Sequence, residues 1–338
     1  MANIFPTSYS SPAKHALLDL IRAQYQLDDL AELKFLRRGL NDTYLVEGDE
    51  RRFVLRLYRT WRSAEDVAFE LEWLDYLAAR NVPVVPALRS ADQRRFGSLN
   101  AAEGTRCYAL FPHVGEIEHP PVDCAFARSM GQSLAHLHRA SDNFASTARR
   151  FRLHPAHLIE QPVRAIHQLF FRDREALRFL DGVAARVAAD VQSLALTPPT
   201  YGPCHGDVHF ENFCQLRGDP LWLDFDCSGL GWRVYDVATF YWALKLKWVG
   251  WTVKYSDPDD ALWRAFVDGY QTVRGMSQEE SRVLPAFVIA RAIWGTGLQA
   301  SNADDWAAHA WLTSPFFAEG LRFIRELAAN FDYDLPGT

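Results

Sequence analysis

Cysteine is scarce in this chain and is never arranged for metal or disulfide chemistry. The five cysteines among 338 residues stand at 107, 124, 204, 214 and 227, with no Cys-x-x-Cys pair. That spacing speaks against a zinc cluster or a disulfide framework and makes a reducing cytoplasm the expected compartment. Cys204, Cys214 and Cys227 read as small packing residues. No basic segment followed by an apolar one opens the sequence, so no signal peptide is expected. Internal repeats and low-complexity tracts are also missing. There is no basic run of the kind that tracks a phosphate backbone, and the formal net charge is -6; nucleic acid is not an expected partner. A mildly acidic balance suits cationic or neutral ligands. The most apolar window, residues 235–251, is interrupted by Lys245 and Lys247. It reads as a buried helix and not as a membrane span, so no membrane partner is expected. The oligomeric state has no signature here.

What is present is apolar and aromatic bulk. Hydrophobic residues make up 49% of the chain and aromatic residues 13%, enough for a large core and for two domains. Residues 12–30 read as a helix, with Leu17, Leu18, Leu20, Ile21 and Tyr25 on one stripe. Short strand-like runs follow at 33–36, 43–46 and 52–58, the last after the turn Glu47-Gly48-Asp49. Ser63, with Asp66 three residues on, predicts a capping box for a helix over 64–80. Beyond Pro83 and Pro86, two more strand-like runs are expected near 87–90 and 105–111. From 123 the pattern turns helical, with helices expected at 123–141, 160–195, 234–249, 258–274, 278–300 and 314–330. Strands and loops interrupt them at 203–226.

The densest chemistry lies in Cys204-His205-Gly206-Asp207-Val208-His209-Phe210-Glu211-Asn212, followed by Trp222-Leu223-Asp224-Phe225-Asp226. A lone His-Gly-Asp is commonly a turn. His205, Asp207 and His209 at alternate positions can also be read as metal ligands on one strand face, the pattern of a metallohydrolase. Asn212, with Asp224 12 residues later and Asp226 beyond it, favours another chemistry. Phosphoryl transfer needs a carboxylate to orient a hydroxyl, and an amide oxygen and a second carboxylate to hold magnesium on nucleotide phosphates.

His-Gly-Asp-x-His-x-x-Asn followed by Asp-Phe-Asp resembles the signature of the aminoglycoside phosphotransferase and choline kinase superfamily, most densely over residues 35–245. The resemblance implies an α+β, protein-kinase-like bilobal fold. Its small N-lobe would hold a five-stranded antiparallel sheet and one main helix over 1–111. A larger, mostly helical C-lobe would span 112–338, with the hinge at Phe111-Pro112-His113-Val114-Gly115. It implies ATP and Mg2+ as cofactors and a small-molecule hydroxyl as acceptor. Asp207 takes the role of catalytic base, and Asn212 and Asp224 those of metal ligands. Supporting roles fall to His205 as a loop brace, His209, Asp226, and Asp236 at the start of a helix as an anchor for the loop. Gly39 and Asn41 lie in the turn expected to cover the phosphates. The strand that carries a lysine in relatives carries Arg56 here, which keeps the charge but adds a forked geometry. Glu70 is its expected partner, with Glu72 and Glu65 as substitutes and Arg38 as the alternative cation. Adenine is expected against the 108–111 backbone, near Leu110 and Phe111, with Leu36 and Val54 flanking the ring.

The acceptor pocket is expected in the helical lobe, with Asp304, Asp305, Trp242, Trp294, Trp306 and Trp311 as candidates and a plain Trp-rich core as the competing reading. Homoserine-, choline-, sugar- and aminoglycoside-like acceptors remain open. A serine/threonine protein kinase similar to bacterial stress-response kinases, and a non-catalytic nucleotide-binding pseudokinase, are the alternatives.

Overall fold

The first amphipathic stripe forms α1 (Lys14–Tyr25), which buries Leu17, Leu18, Ile21 and Tyr25. It is shorter than the 12–30 expected, because Gln26 turns left-handed at φ 53° and ends it. The computed structural model describes residues 6–170, 172–249, 252–255, 260–302 and 314–333. The chain divides into two compact units. The first runs to Glu118 and adds Phe144–Arg150 and Gln215–Asp226; the second comprises His119–Asn143, Phe151–Cys214 and the chain from Cys227 onward.

The first unit is built on a five-stranded antiparallel sheet, as expected. Its strands are β1 (Leu30–Arg38), β2 (Asn41–Gly48), β3 (Arg52–Tyr58), β4 (Gly97–Ala101) and β5 (Gly104–Pro112), in the order β1-β2-β3-β5-β4. The fourth strand does not lie at 87–90. Pro83 and Pro86 interrupt the segment leading into it, and the run forms no strand, touching β5 where Leu88 N donates to Leu110 O at 2.7 Å. The edge is filled by β4, whose Gly97 leaves room for Tyr108: a Cβ at Gly97 would lie 2.4 Å from that ring. One face of the sheet joins α1 in a core of Leu33, Tyr44, Val46, Leu55, Leu57 and Leu110.

α2 (Ala64–Ala78) opens with the predicted capping box, Ser63 and Asp66 bonding reciprocally, and buries Val67, Leu71, Leu74 and Leu77. β2 begins in a buried charge network. Asp42 accepts from Arg106 at 2.8 Å, Arg38 at 3.2 Å and the Tyr9 hydroxyl at 2.7 Å. Both Arg106 and Asp42 side chains are wholly shielded from solvent.

The second unit is mostly helical. α3 (Cys124–Ala140) starts on an Asp123 cap. A small sheet joins β6 (Arg152–Leu153), β7 (Tyr201–Cys204) and β10 (Gly229–Trp232) in the order β6-β10-β7. The single helix expected over 160–195 is two, α4 (Gln161–Leu169), preceded by a π-helical turn at Ala156–Glu160, and α5 (Arg174–Val191). Asp173 caps α5 by accepting from Ala176 N at 3.0 Å, which sets the break. After the Asp207 loop the chain passes into a hairpin of β8 (Phe213–Leu216) and β9 (Asp219–Trp222), which from Gln215 onward belongs to the first unit.

α6 (Val234–Leu244) stops short of the predicted 249, and β11 (Leu246–Val249) pairs with β12 (Thr252–Tyr255). A short apolar run does not by itself separate strand from helix. α7 (Asp260–Gln271), α8 (Gln278–Ser301) and α9 (Ser314–Asn330) complete the described elements. By length and composition α8 could cross a membrane, but 61% of its apolar stretch is buried inside the protein; it packs on α4, α5 and α6.

Asp42→Ala leaves buried Arg106, among the described residues, with Glu103 at 3.5 Å as its remaining carboxylate. Breaking such a pair from one side costs about 3–5 kcal/mol. Urea denaturation should show a loss of that order, and a loss under about 1 kcal/mol would contradict the network's importance.

Candidate functional site

The first cluster lies within the first unit. On β3, Arg56 faces the side opposite the Leu55 and Leu57 core, paired in register with Thr43 on β2 and Ala109 on β5. Glu70 lies three residues after Val67 and four before Leu74, so it falls on the buried stripe of α2 and is itself fully buried. A buried carboxylate needs compensation. Arg56 Nη1 lies 2.9 Å from Glu70 Oε1, which also accepts from the Tyr58 hydroxyl at 3.2 Å. The other arm of the fork, Nη2, reaches Asp224 Oδ1 at 3.1 Å. Burial alone would lower the Arg56 pKa. The carboxylate charges of Asp224 and Glu70 outweigh it and hold the guanidinium charged.

Asp224 stands at φ 60°, a left-handed conformation that non-glycine residues rarely adopt and that clusters at functional sites. Its Oδ2 accepts from Arg37 at 2.8 Å. Asp226 is buried; Asn41 Nδ2 donates to its Oδ2 at 2.7 Å, and Arg62 and Arg150 donate to its backbone oxygen, each at 2.7 Å. Burial, then the neighbouring Asp224 charge, push its pKa up. Arg56 and Asp224 open onto a cavity of about 280 Å3 whose walls include Val54, Phe111, Val114, Trp222 and Leu223. The wall is apolar and the rim carries cations, which suits a ring attached to phosphates.

The second cluster, within the second unit, is the loop that leaves β7. Asp236, in the first turn of α6, is fully buried and accepts the backbone N–H groups of His205 and Gly206, both at 2.7 Å. His138 Nε2 lies 2.9 Å from it, and His138 Nδ1 lies 2.8 Å from the Tyr270 hydroxyl. His205 folds back into the loop, its Nδ1 accepting from Asp207 N at 3.3 Å. Asp207 Oδ2 is 3.2 Å from His209 Nε2 and 3.0 Å from Asn212 Nδ2. Asn212 Nδ2 also donates to Asp207 O at 3.0 Å, so its amide is anchored through nitrogen and its oxygen is the end suited to a cation. Burial would raise the Asp207 pKa, but Arg291 and then His209 hold it well below the usual carboxylate range.

Several expectations change. Leu110 lies in the core, and its carbonyl is taken by Leu88 N; Phe111, not Leu110, lines the cavity. Leu36 is 53% exposed and is not among the lining residues. Gly39 needs no left-handed backbone, and a Cβ there would meet nothing within 4 Å. Asn41 reaches Asp226 through its side chain, while its backbone oxygen accepts from Gly39 N at 3.0 Å. Arg38 is committed to Asp42 and stacks on Tyr9, 4.0 Å from the ring centre; the second cation on Asp224 is Arg37. His205, Asp207 and His209 sit on a loop and not along a strand face. Asp304, Asp305, Trp306 and Trp311 lie outside the described residues.

Two residues were not anticipated. Arg37 has no distinguishing signal in sequence beside Arg38. Arg291 does: it is a lone charge within Phe287-Val288-Ile289-Ala290-Arg291-Ala292-Ile293-Trp294, and a charge in such a run must find a partner. It pairs with Asp207 Oδ1. The faces of Trp242 and Trp294 lie 4.6 and 4.4 Å from its guanidinium carbon. Both rings therefore already hold a cation supplied by the chain.

Gly206 has φ 80°, and a Cβ there would lie 2.2 Å from Cys227 O. Gly206→Ala should cost about 1–3 kcal/mol from the backbone conformation, with more from the contact. Thermal unfolding checks this, and unchanged stability would contradict the loop geometry.

The description "Phosphotransferase enzyme family" matches residues 32–276. An uncharacterized protein of Deinococcus radiodurans is 38% identical over 96% of this chain and 93% of its own. A homoserine kinase of Paraburkholderia phytofirmans is 26% identical over 85% of this chain and 82% of its own. Among solved structures, an amicoumacin kinase in complex with AMP-PNP, Ca2+ and Ami has a similar fold, with a TM-score of 0.76 at 17% identity, over 94% of each chain. With the family description matching well over half of its length, the chain belongs to the phosphotransferase enzyme family.

Proposed function

We propose that this phosphotransferase moves the γ-phosphoryl group of ATP, with Mg2+, to the hydroxyl of a small metabolite. The observation that carries the reading is Arg56, forked between buried Glu70 and Asp224 beside an apolar cavity. That arrangement presents a fixed cation where nucleotide phosphates need one. Val54 and Phe111 offer apolar surface to the base.

The donor set fits magnesium. In the first unit Asp224 and Asp226 are oxygen ligands of the kind it takes, and the buried Asn41 Oδ1 there has no hydrogen-bond partner among the described residues; in the second, the amide oxygen of Asn212 is a donor of the same type. Bound magnesium would neutralise charge on the phosphates. Asp207 accepts the hydrogen bond of the acceptor hydroxyl and aims its oxygen for in-line attack. As a carboxylate held well below its ordinary pKa, it serves by orientation more than by early proton removal. Asp236 fixes the loop through two backbone N–H groups, so Asp207 does not depend on a mobile segment for its place.

A homoserine-like or related small hydroxylated metabolite is the favoured acceptor class. Similarity to a homoserine kinase over 85% of this chain supports it, and the occupied faces of Trp242 and Trp294 weaken a choline-like reading at those rings.

ADP production from MgATP over amino alcohols, hydroxy amino acids, sugars, aminoglycosides and generic protein substrates tests the reading. One small-molecule class should stimulate turnover, and Asp207→Ala should lower that turnover about 100-fold or more. Phosphorylation of protein substrates alone would replace the reading with a protein kinase, and no stimulation by any acceptor would favour a pseudokinase. Arg56→Met should raise the Michaelis constant for ATP in protein shown to be folded by circular dichroism, with lower thermal stability because buried Glu70 loses its cationic partner; Arg56→Lys should recover activity only to the extent that charge, and not the fork, is required. An Arg56→Met enzyme with wild-type ATP dependence would remove Arg56 from the phosphate site.

A further inference from the structure

Arg291 carries a cost that a purely structural residue would not explain. It sits in the middle of α8, is 3% exposed, and interrupts an apolar run that would pack well without it. Burying a guanidinium is expensive unless its geometry is well satisfied. Here the satisfaction comes from one loop. Nη2 bonds Asp207 Oδ1 and Nη1 donates to Gly206 O at 3.0 Å, with the Tyr235 hydroxyl 3.4 Å away. The rings of Trp242 and Trp294 lie against the guanidinium, and Trp294 is fixed in turn by Nε1 donating to His157 Nε2 at 3.3 Å. His157 stacks on Phe151 with ring centres 4.5 Å apart. The guanidinium is thus immobilised before it meets the loop.

We propose that Arg291 is a positioning residue for Asp207. Its fork clamps the loop at two consecutive residues, one backbone oxygen and one carboxylate oxygen. With Oδ1 held by Arg291 and Oδ2 by His209 and Asn212, the carboxylate plane is fixed, and a remaining lone pair of Oδ2 receives the acceptor hydroxyl. A lysine would offer a point charge without the two-point fork. The inference rests on the reading of Asp207 as the carboxylate that orients the acceptor. It adds that the orientation is imposed from α8.

The test measures ADP release from MgATP with water as the acceptor, alongside MgATP binding by calorimetry, for wild type, Arg291→Lys and Arg291→Ala. Misplacing a reacting group by about 1 Å costs on the order of 100-fold. Arg291→Ala should lose turnover on that scale while its MgATP affinity stays within about threefold, a loss confined to the transition state. Arg291→Lys should fall between the two. Guanidinium chloride at low, non-denaturing concentration should restore about tenfold to Arg291→Ala by refilling the gap between the tryptophans, and nothing to Asp207→Ala. Turnover in Arg291→Ala within about threefold of wild type would overturn the proposal. So would a loss that parallels falling MgATP affinity and thermal stability in both variants with no guanidinium rescue, since that is the behaviour of a packing residue. A wild-type protein that neither binds MgATP nor releases ADP overturns the phosphotransfer reading itself, and the inference with it.

Discussion

A single guanidinium, that of Arg56, ties together the sheet, the helix and the acidic segment of the first unit. One arm meets Glu70 on α2 and the other meets Asp224. Glu70 would be costly without it, and Asp224 shares it with Arg37. Glu70 is fully buried by the register of its helix, and Asp224 sits on a left-handed backbone. Two carboxylates and one fork fix the separation of β3, α2 and the 222–226 segment more tightly than apolar contacts alone would, because hydrogen-bond geometry is directional where hydrophobic packing is not. The same residues border the cavity, so the interaction that organises this unit also shapes its ligand surface.

The second unit solves a parallel problem with the charges reversed. There a buried carboxylate, Asp236, gathers backbone N–H groups of the Asp207 loop, and a buried cation, Arg291, takes the loop's carbonyl and carboxylate from another direction. Gly206 lies between the two contacts and supplies the φ of 80° that lets both be made. His138 and Tyr270 extend the Asp236 contact into α3 and α7. The loop is therefore held by hydrogen bonds that remain after the surrounding apolar residues are exchanged for others of like volume.

The sequence is legible where chemistry and periodicity coincide. Strands over 33–36, 43–46, 52–58 and 105–111 and the Ser63 cap can be read from alternation and polar spacing, because each position answers to one local constraint. Residues 87–90 mislead, since the edge beside β5 is taken by β4 and the run forms no ladder of its own. Residues 234–249 mislead because the apolar stretch of the helix runs directly into Leu244-Lys245-Leu246-Lys247, whose alternation belongs to a strand. The clustering of Glu70 with Arg56 follows from strand alternation meeting helix periodicity. Arg37 could not be chosen over Arg38, as the choice depends on which side of the β1–β2 turn faces Asp224 and which faces Asp42. Arg291 was visible as an isolated charge among apolar neighbours, but its partner lies 84 residues away in sequence, a separation that local patterns do not reach.

The account stands on Asp224 being a metal and phosphate partner and not merely the terminus of a structural ion pair. Calorimetric titration of ATP with and without magnesium, on wild type and on Asp224→Ala, measures this most directly. The account predicts that magnesium tightens ATP binding to wild type and that Asp224→Ala abolishes this gain while remaining folded by circular dichroism. An Asp224→Ala protein that binds ATP with the wild-type magnesium response would contradict it.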